Sequence, residues 1–73
     1  MDWVFAKDLL ERHGVNLIGR KIITEEVGSH PGGIEKILKL TPDKNAPEIV
    51  FQVFNYEIND SIGVFDNELV VLL

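Results

Sequence analysis

No cysteine occurs among the 73 residues, which excludes a disulfide framework and a thiolate metal cluster as sources of stability. No apolar run approaches the roughly 20 residues that cross a bilayer as a helix. The opening Met1-Asp2-Trp3-Val4-Phe5 also lacks the basic region that precedes a signal sequence. A cytoplasmic location is the expectation. Basic residues are missing from the C-terminal part: every Lys and Arg lies at or before Lys44, while Glu48, Glu57, Asp60, Asp66 and Glu68 follow it. At a net charge of −5, the chain as a whole gains nothing from counterion release on a phosphate backbone, so general nucleic-acid binding loses its main source of affinity. Aromatic residues are few, with one Trp, one Tyr and four Phe, and a core needs most of them.

What is present fits one small domain over residues 1–73. A hydrophobic fraction of 45% is that of a folded chain, and the length leaves room for a single core. Residues 2–13 place Trp3, Phe5, Ala6, Leu9 and Leu10 on one side at helical spacing, with Lys7, Asp8, Glu11 and Arg12 on the other. Asp2 suits the N-cap and Gly14 suits the C-terminal stop, so a helix over residues 2–13 is predicted.

After Gly19 the composition turns β-branched. Strands are predicted over residues 20–27, 34–41, 48–54, 62–65 and 69–73, with loops at 28–33 and 43–47. The run Glu48-Ile49-Val50-Phe51-Gln52-Val53-Phe54 is apolar on both sides and is the candidate central strand. The fold class expected is mostly β with one N-terminal α-helix. Its five strands form a small barrel or a strongly bent antiparallel sheet over residues 17–73.

Gly19-Arg20-Lys21-Ile22-Ile23, the long loop after it, and Ile62-Gly63-Val64-Phe65-Asp66-Asn67-Glu68-Leu69 resemble the SH3-like small barrels, including the KOW type. The resemblance covers about residues 17–73. It implies a tight turn near 66–69 leading into a short last strand. Recognition of proline-rich peptides, which some SH3-like barrels perform, takes a groove of several aromatics, and this chain has too few to supply one.

Motifs that carry chemistry fail at their essential positions. His13 falls on the apolar side of the helix, where a histidine bonded to a neighbour is commoner than a ligand; His30, in a glycine-rich loop, reads as solvated. Ser29 and His30 are adjacent, and neighbours in sequence seldom face each other as nucleophile and base. Gly28-Ser29-His30-Pro31-Gly32-Gly33 is followed by Ile34 and Glu35 where a phosphate loop has lysine and a hydroxyl. Residues 55–66 carry oxygen side chains at calcium-loop spacing, yet Asp60 replaces the obligatory glycine and Asp66 the bidentate glutamate. Glu25 and Glu26 face opposite ways on a strand. Neither a catalytic group, a metal nor a cofactor is expected, and the chain does not read as an enzyme.

Two features remain. Arg20, Lys21, Lys36 and Lys39 come from two strands that pair if adjacent, and together they make a basic patch for an acidic partner. Phe54, Ile58, Val64 and residues 70–73 form an apolar surplus that either completes the core or leaves an exposed face. The function expected is a small non-enzymatic protein–protein interaction domain, of a size that suits a phage or mobile-element accessory protein. Its binding residues would be Arg20, Lys21, Phe54, Tyr56, Ile58 and Val64. The alternative is a nucleic-acid-binding small barrel that uses the Arg20, Lys21, Lys36 and Lys39 patch. A homodimer formed along residues 69–73 is a further expectation.

Overall fold

Strands built from β-branched and aromatic residues dominate the computed structural model, which describes residues 2–41 and 48–73. The loop expected at 43–47, with Lys44, lies outside the described residues. In chain order the elements are β1 (Val4–Phe5), α1 (Ala6–His13), a 3-10 turn (Gly14–Leu17), β2 (Lys21–Thr24), β3 (Gly33–Leu40), β4 (Ile49–Asn55), β5 (Asp60–Phe65) and β6 (Leu69–Leu72). The expectation of a mostly-β domain with one N-terminal helix is met. The expectation of a five-stranded barrel or strongly bent sheet is not: the sheet has six antiparallel strands in the order β1-β6-β2-β3-β4-β5, and it is neither closed nor strongly curled.

The sixth strand explains the late start of the helix. Val4 and Phe5 pair with Val70 and Leu69 of β6, so tertiary pairing takes residues that helical periodicity alone assigns to α1. Asp2 therefore cannot cap the helix. Phe5 occupies the N-cap position without a side-chain hydrogen bond. The first helical N–H groups find other acceptors, Ala6 N donating to Glu68 O at 2.9 Å and Lys7 N to Asp66 O at 3.0 Å. At the other end Gly14 stops the helix with φ 54° and its N–H on Leu10 O.

Two strand positions also differ from expectation. The run at Ile49–Asn55, taken as central, is next to the edge strand β5, while β2 and β3 hold the middle. The C-terminal strand β6 is paired with β2 through Val70, Val71 and Leu72 and with β1 through Leu69 and Val70, so it lies inside the sheet and is not its edge. The edges are β1 and β5.

The connection between β5 and β6 constrains the sheet. A flat sheet would separate strands four places apart by about 19 Å, whereas the four chain steps from Phe65 to Leu69 reach at most about 14 Å. The sheet bends moderately to let the connection close. On its concave side α1 contributes Ala6 and Leu9 to a core with Leu17, Ile22, Ile37, Phe51, Val53, Val64 and Val70. Strand register decides which side chains lie there: Leu72, Ile22, Glu35, Asn55 and Asp60 form one row across the sheet, and Ile37 and Val53 belong to another row on the same face.

Between β2 and β3 the chain folds back on itself, with Val27 and His30 exchanging backbone hydrogen bonds of 2.8 and 3.1 Å. Gly32 allows this close return. Its φ is 75°, and a Cβ there would lie 2.6 Å from Glu26 N and 2.8 Å from Glu25 C. Gly28 has a similar φ of 57° but nothing within 4 Å. Substitution Gly28→Ala is expected to cost about 1 kcal/mol for the backbone conformation alone. Gly32→Ala should cost clearly more, because it also pushes backbone against backbone; urea denaturation of the two variants tests the difference.

Candidate functional site

A buried polar cluster and an exposed sheet face are the two places where side chains with chemistry converge. The cluster centres on His30, which the sequence reading left in solvent and which is in fact only 7% exposed. Its Nε2 lies 2.6 Å from Glu35 Oε2, and its Nδ1 lies 3.0 Å from Glu68 Oε1. Glu35 is fully buried because its place in β3 turns it to the core side of the sheet. Asn55 Nδ2 donates to the same Glu35 oxygen at 2.6 Å and to Gly32 O at 3.0 Å. Asn55 Oδ1 accepts the backbone N–H groups of Glu57 and Ile58, so one side chain both closes the β4–β5 turn and holds the buried carboxylate.

Thr24 Oγ1 stands 3.2 Å from His30 Nε2, and with Glu68 on Nδ1 this resembles a nucleophile, base and carboxylate in line. The hydrogen-bond inventory argues otherwise. Both ring nitrogens face carboxylates. Glu35 Oε2 lies closer to His30 Nε2, at 2.6 Å, than Thr24 Oγ1 does, at 3.2 Å, so a carboxyl oxygen competes with the hydroxyl for the same ring nitrogen. The same opposed arrangement keeps Glu35 and Glu68 on different sides of the ring, where they cannot share one ion, and no metal-holding group of His, Cys, Asp or Glu is found among the described residues. The cluster ties the 25–32 loop to β3 and to the β5–β6 connection. Glu35 Oε1 is buried without a partner among the described residues, so this carboxylate is anchored through a single oxygen.

The exposed face lies on the other side of the sheet. Lys21, Lys36, Phe54 and Ser61 stand opposite one another across β2, β3, β4 and β5. Val71, Ile23 and Ile34 form the parallel row. Tyr56 follows Phe54 by two residues, and its ring meets Phe54 edge to face at 5.3 Å between centroids and 81° between planes. Lys21 Nζ lies 5.6 Å from the Tyr56 centroid. Tyr56 is 48% exposed and Ile34 47%. A bulge between Ile37 and Lys39 resets the alternation, so that Lys39 stands opposite Gln52 on this same outer face.

Of the residues singled out from sequence, Lys21, Lys36, Lys39, Phe54 and Tyr56 are brought together here. Arg20 is not: its Nη2 donates to Leu73 O at 3.0 Å, and alternation turns it away from Lys21. Val64 is fully buried in the core and takes no part. Ile58 sits in the turn after β4 and lines a depression of about 540 Å³ with Pro31 and Glu26. Lys36 and Lys39, expected from sequence in one basic patch with Lys21, stand on the outer face, the bulge after Ile37 restoring Lys39 to it. Ile34 is the residue of this face that sequence reasoning missed; the signal that would have found it is its pairing with Ile23 once β2 and β3 are aligned through the 25–32 loop.

Two outcomes separate the cluster, the face and the core. Glu35→Ala leaves His30 and Asn55 donors buried without their acceptor and should lower the unfolding free energy by about 3 kcal/mol. Val64→Ala should cost about 2 kcal/mol through lost burial, whereas Tyr56→Ala should cost about 1 kcal/mol or less, the worth of its Phe54 and Lys21 contacts. Chemical denaturation of the three variants measures both. Comparison of the chain with protein-family models, with curated proteins and with solved structures finds no match, so the functional argument rests on these residues.

Proposed function

We propose that this domain is a non-enzymatic protein-interaction module that binds its partner through the outer sheet face. The observation that carries the reading is the exposure of Ile34 and Tyr56 beside Phe54 on one continuous face. Apolar side chains held in register on a rigid sheet offer a partner contact area at little entropic cost. The SH3-like reading of the fold belongs to the same proposal. It is supported by the tight connection at 66–68 into the short strand β6, which is what the resemblance implies, while the open sheet counts against a closed barrel.

The second reading, nucleic-acid binding, draws on the three lysines Lys21, Lys36 and Lys39 that share the face. Single-stranded nucleic acid is held largely by bases stacking on free aromatic faces. Here the Tyr56 ring already carries Lys21 over it and meets Phe54 edge to face, and its exposed neighbour Ile34 has no π-face to offer. The protein reading is therefore preferred.

A photo-reactive phenylalanine analogue placed at Ser61, on the edge of the face, and at Val15, in the exposed 3-10 turn, tests the choice in the native cell. Ser61 is expected to cross-link to a discrete protein and Val15 is not. Equal labelling from both positions, or nucleic acid as the adduct from Ser61, would overturn the proposal.

A further inference from the structure

Charge is sorted between the two sides of this sheet. Every lysine within the strands, Lys21, Lys36 and Lys39, stands on the outer face, and both strand carboxylates, Glu35 and Asp60, belong to the inner row. Lys21 and Lys36 are directly opposite each other across β2 and β3. Like charges so placed cost stability rather than contribute it. Among the described residues the ion pairs found both involve His30, so no carboxylate there relieves the two lysines, although the chain carries 12 acidic residues against 7 basic ones.

We infer that the partner of this face is an acidic segment of another protein, in which carboxylates alternate with aliphatic side chains. This rests on the protein-binding reading above and specifies its chemistry. One carboxylate of the segment sits between the Lys21 and Lys36 ammonium groups, where it removes their mutual repulsion. The aliphatic side chains lie on Ile34, Phe54 and Tyr56. The apolar contacts supply most of the affinity, and the lysine pair supplies register and the choice of partner. The strand carboxylates lie on the opposite side of the sheet, so within the strands the positive charge that attracts an acidic segment is confined to the outer face.

Selection of a random-peptide library displayed on phage, run in parallel on the wild-type domain and on the Lys21→Glu/Lys36→Glu variant, is the test. Both lysines are exposed, and far-ultraviolet circular dichroism with a cooperative urea transition verifies that the variant folds. The wild type is expected to enrich peptides that mix Asp or Glu with Leu, Ile or Val, and the reversed variant peptides with Lys or Arg in their place. In solution the enriched acidic peptide should bind the wild type about tenfold or more tightly than the milder Lys21→Gln/Lys36→Gln variant. Its affinity should fall as salt is raised. Peptides without acidic residues, the same peptides from both baits, or no enrichment at all would overturn the inference. So would a dT oligonucleotide that binds more tightly than any selected peptide. Cross-linking from Ser61 to a protein whose contacting segment is not acidic would refute this inference and leave the general reading standing, whereas loss of the Ser61 cross-link removes both.

Discussion

Glu68 joins three parts of the molecule. Its backbone carbonyl accepts Ala6 N at the start of the helix, one carboxylate oxygen accepts Phe65 N, and the other takes His30 Nδ1. It does so from a three-residue connection that links an edge strand to a strand four places away in the sheet. Because that span is shorter than a flat sheet allows, the sheet bends, and the concave side so created is where the helix docks. Among the described residues no element covers the other side. One short connection therefore decides both where the core is and which face is open.

The polar cluster beneath the 25–32 loop follows from that arrangement. Two carboxylates and an imidazole out of water carry a desolvation penalty that mutual attraction offsets only when donors and acceptors are matched. Here His30 serves Glu35 and Glu68 from opposite ring nitrogens, and Asn55 adds a further donor to Glu35. The set stitches the β2–β3 loop to the β4–β5 turn and to the β5–β6 connection, which apolar packing alone would not specify.

Much of this was legible in the sequence, and the exceptions have physical causes. The helix face, the Gly14 stop, all of the longer strands and the tight turn near 66–69 could be read from periodicity and turn chemistry, because those signals are local. Val4 and Phe5 were read as helix since their pairing with Leu69 and Val70 is non-local. His30 looked like a surface residue because the pattern of a loop says nothing of which buried carboxylate it is laid over. Val64 belongs to the core and not to the binding face expected of it, because its pairing with Phe51 places it on the inner side of β5 with Ile62. The bulge after Ile37 is what lets Lys36 and Lys39, three residues apart, share the face on which the basic patch was expected.

The sorting of charge is what separates the open face from an ordinary solvated one. A surface that only needed solubility would mix both signs, and this chain has acidic residues in excess to do so. Instead the strand lysines stand around Ile34, Phe54 and Tyr56 with no strand carboxylate among them. The register that puts Lys21 opposite Lys36 also puts Ile22 opposite Glu35, so a slip of one residue would exchange the two faces and bring the lysines into the core. The same alternation that buries Glu35 for the fold exposes the lysine pair. In a sheet, whose side chains alternate between faces, the core's demand for one set of positions fixes which residues stand on the other, and the charge and exposure of the outer face follow from the packing of the inner one.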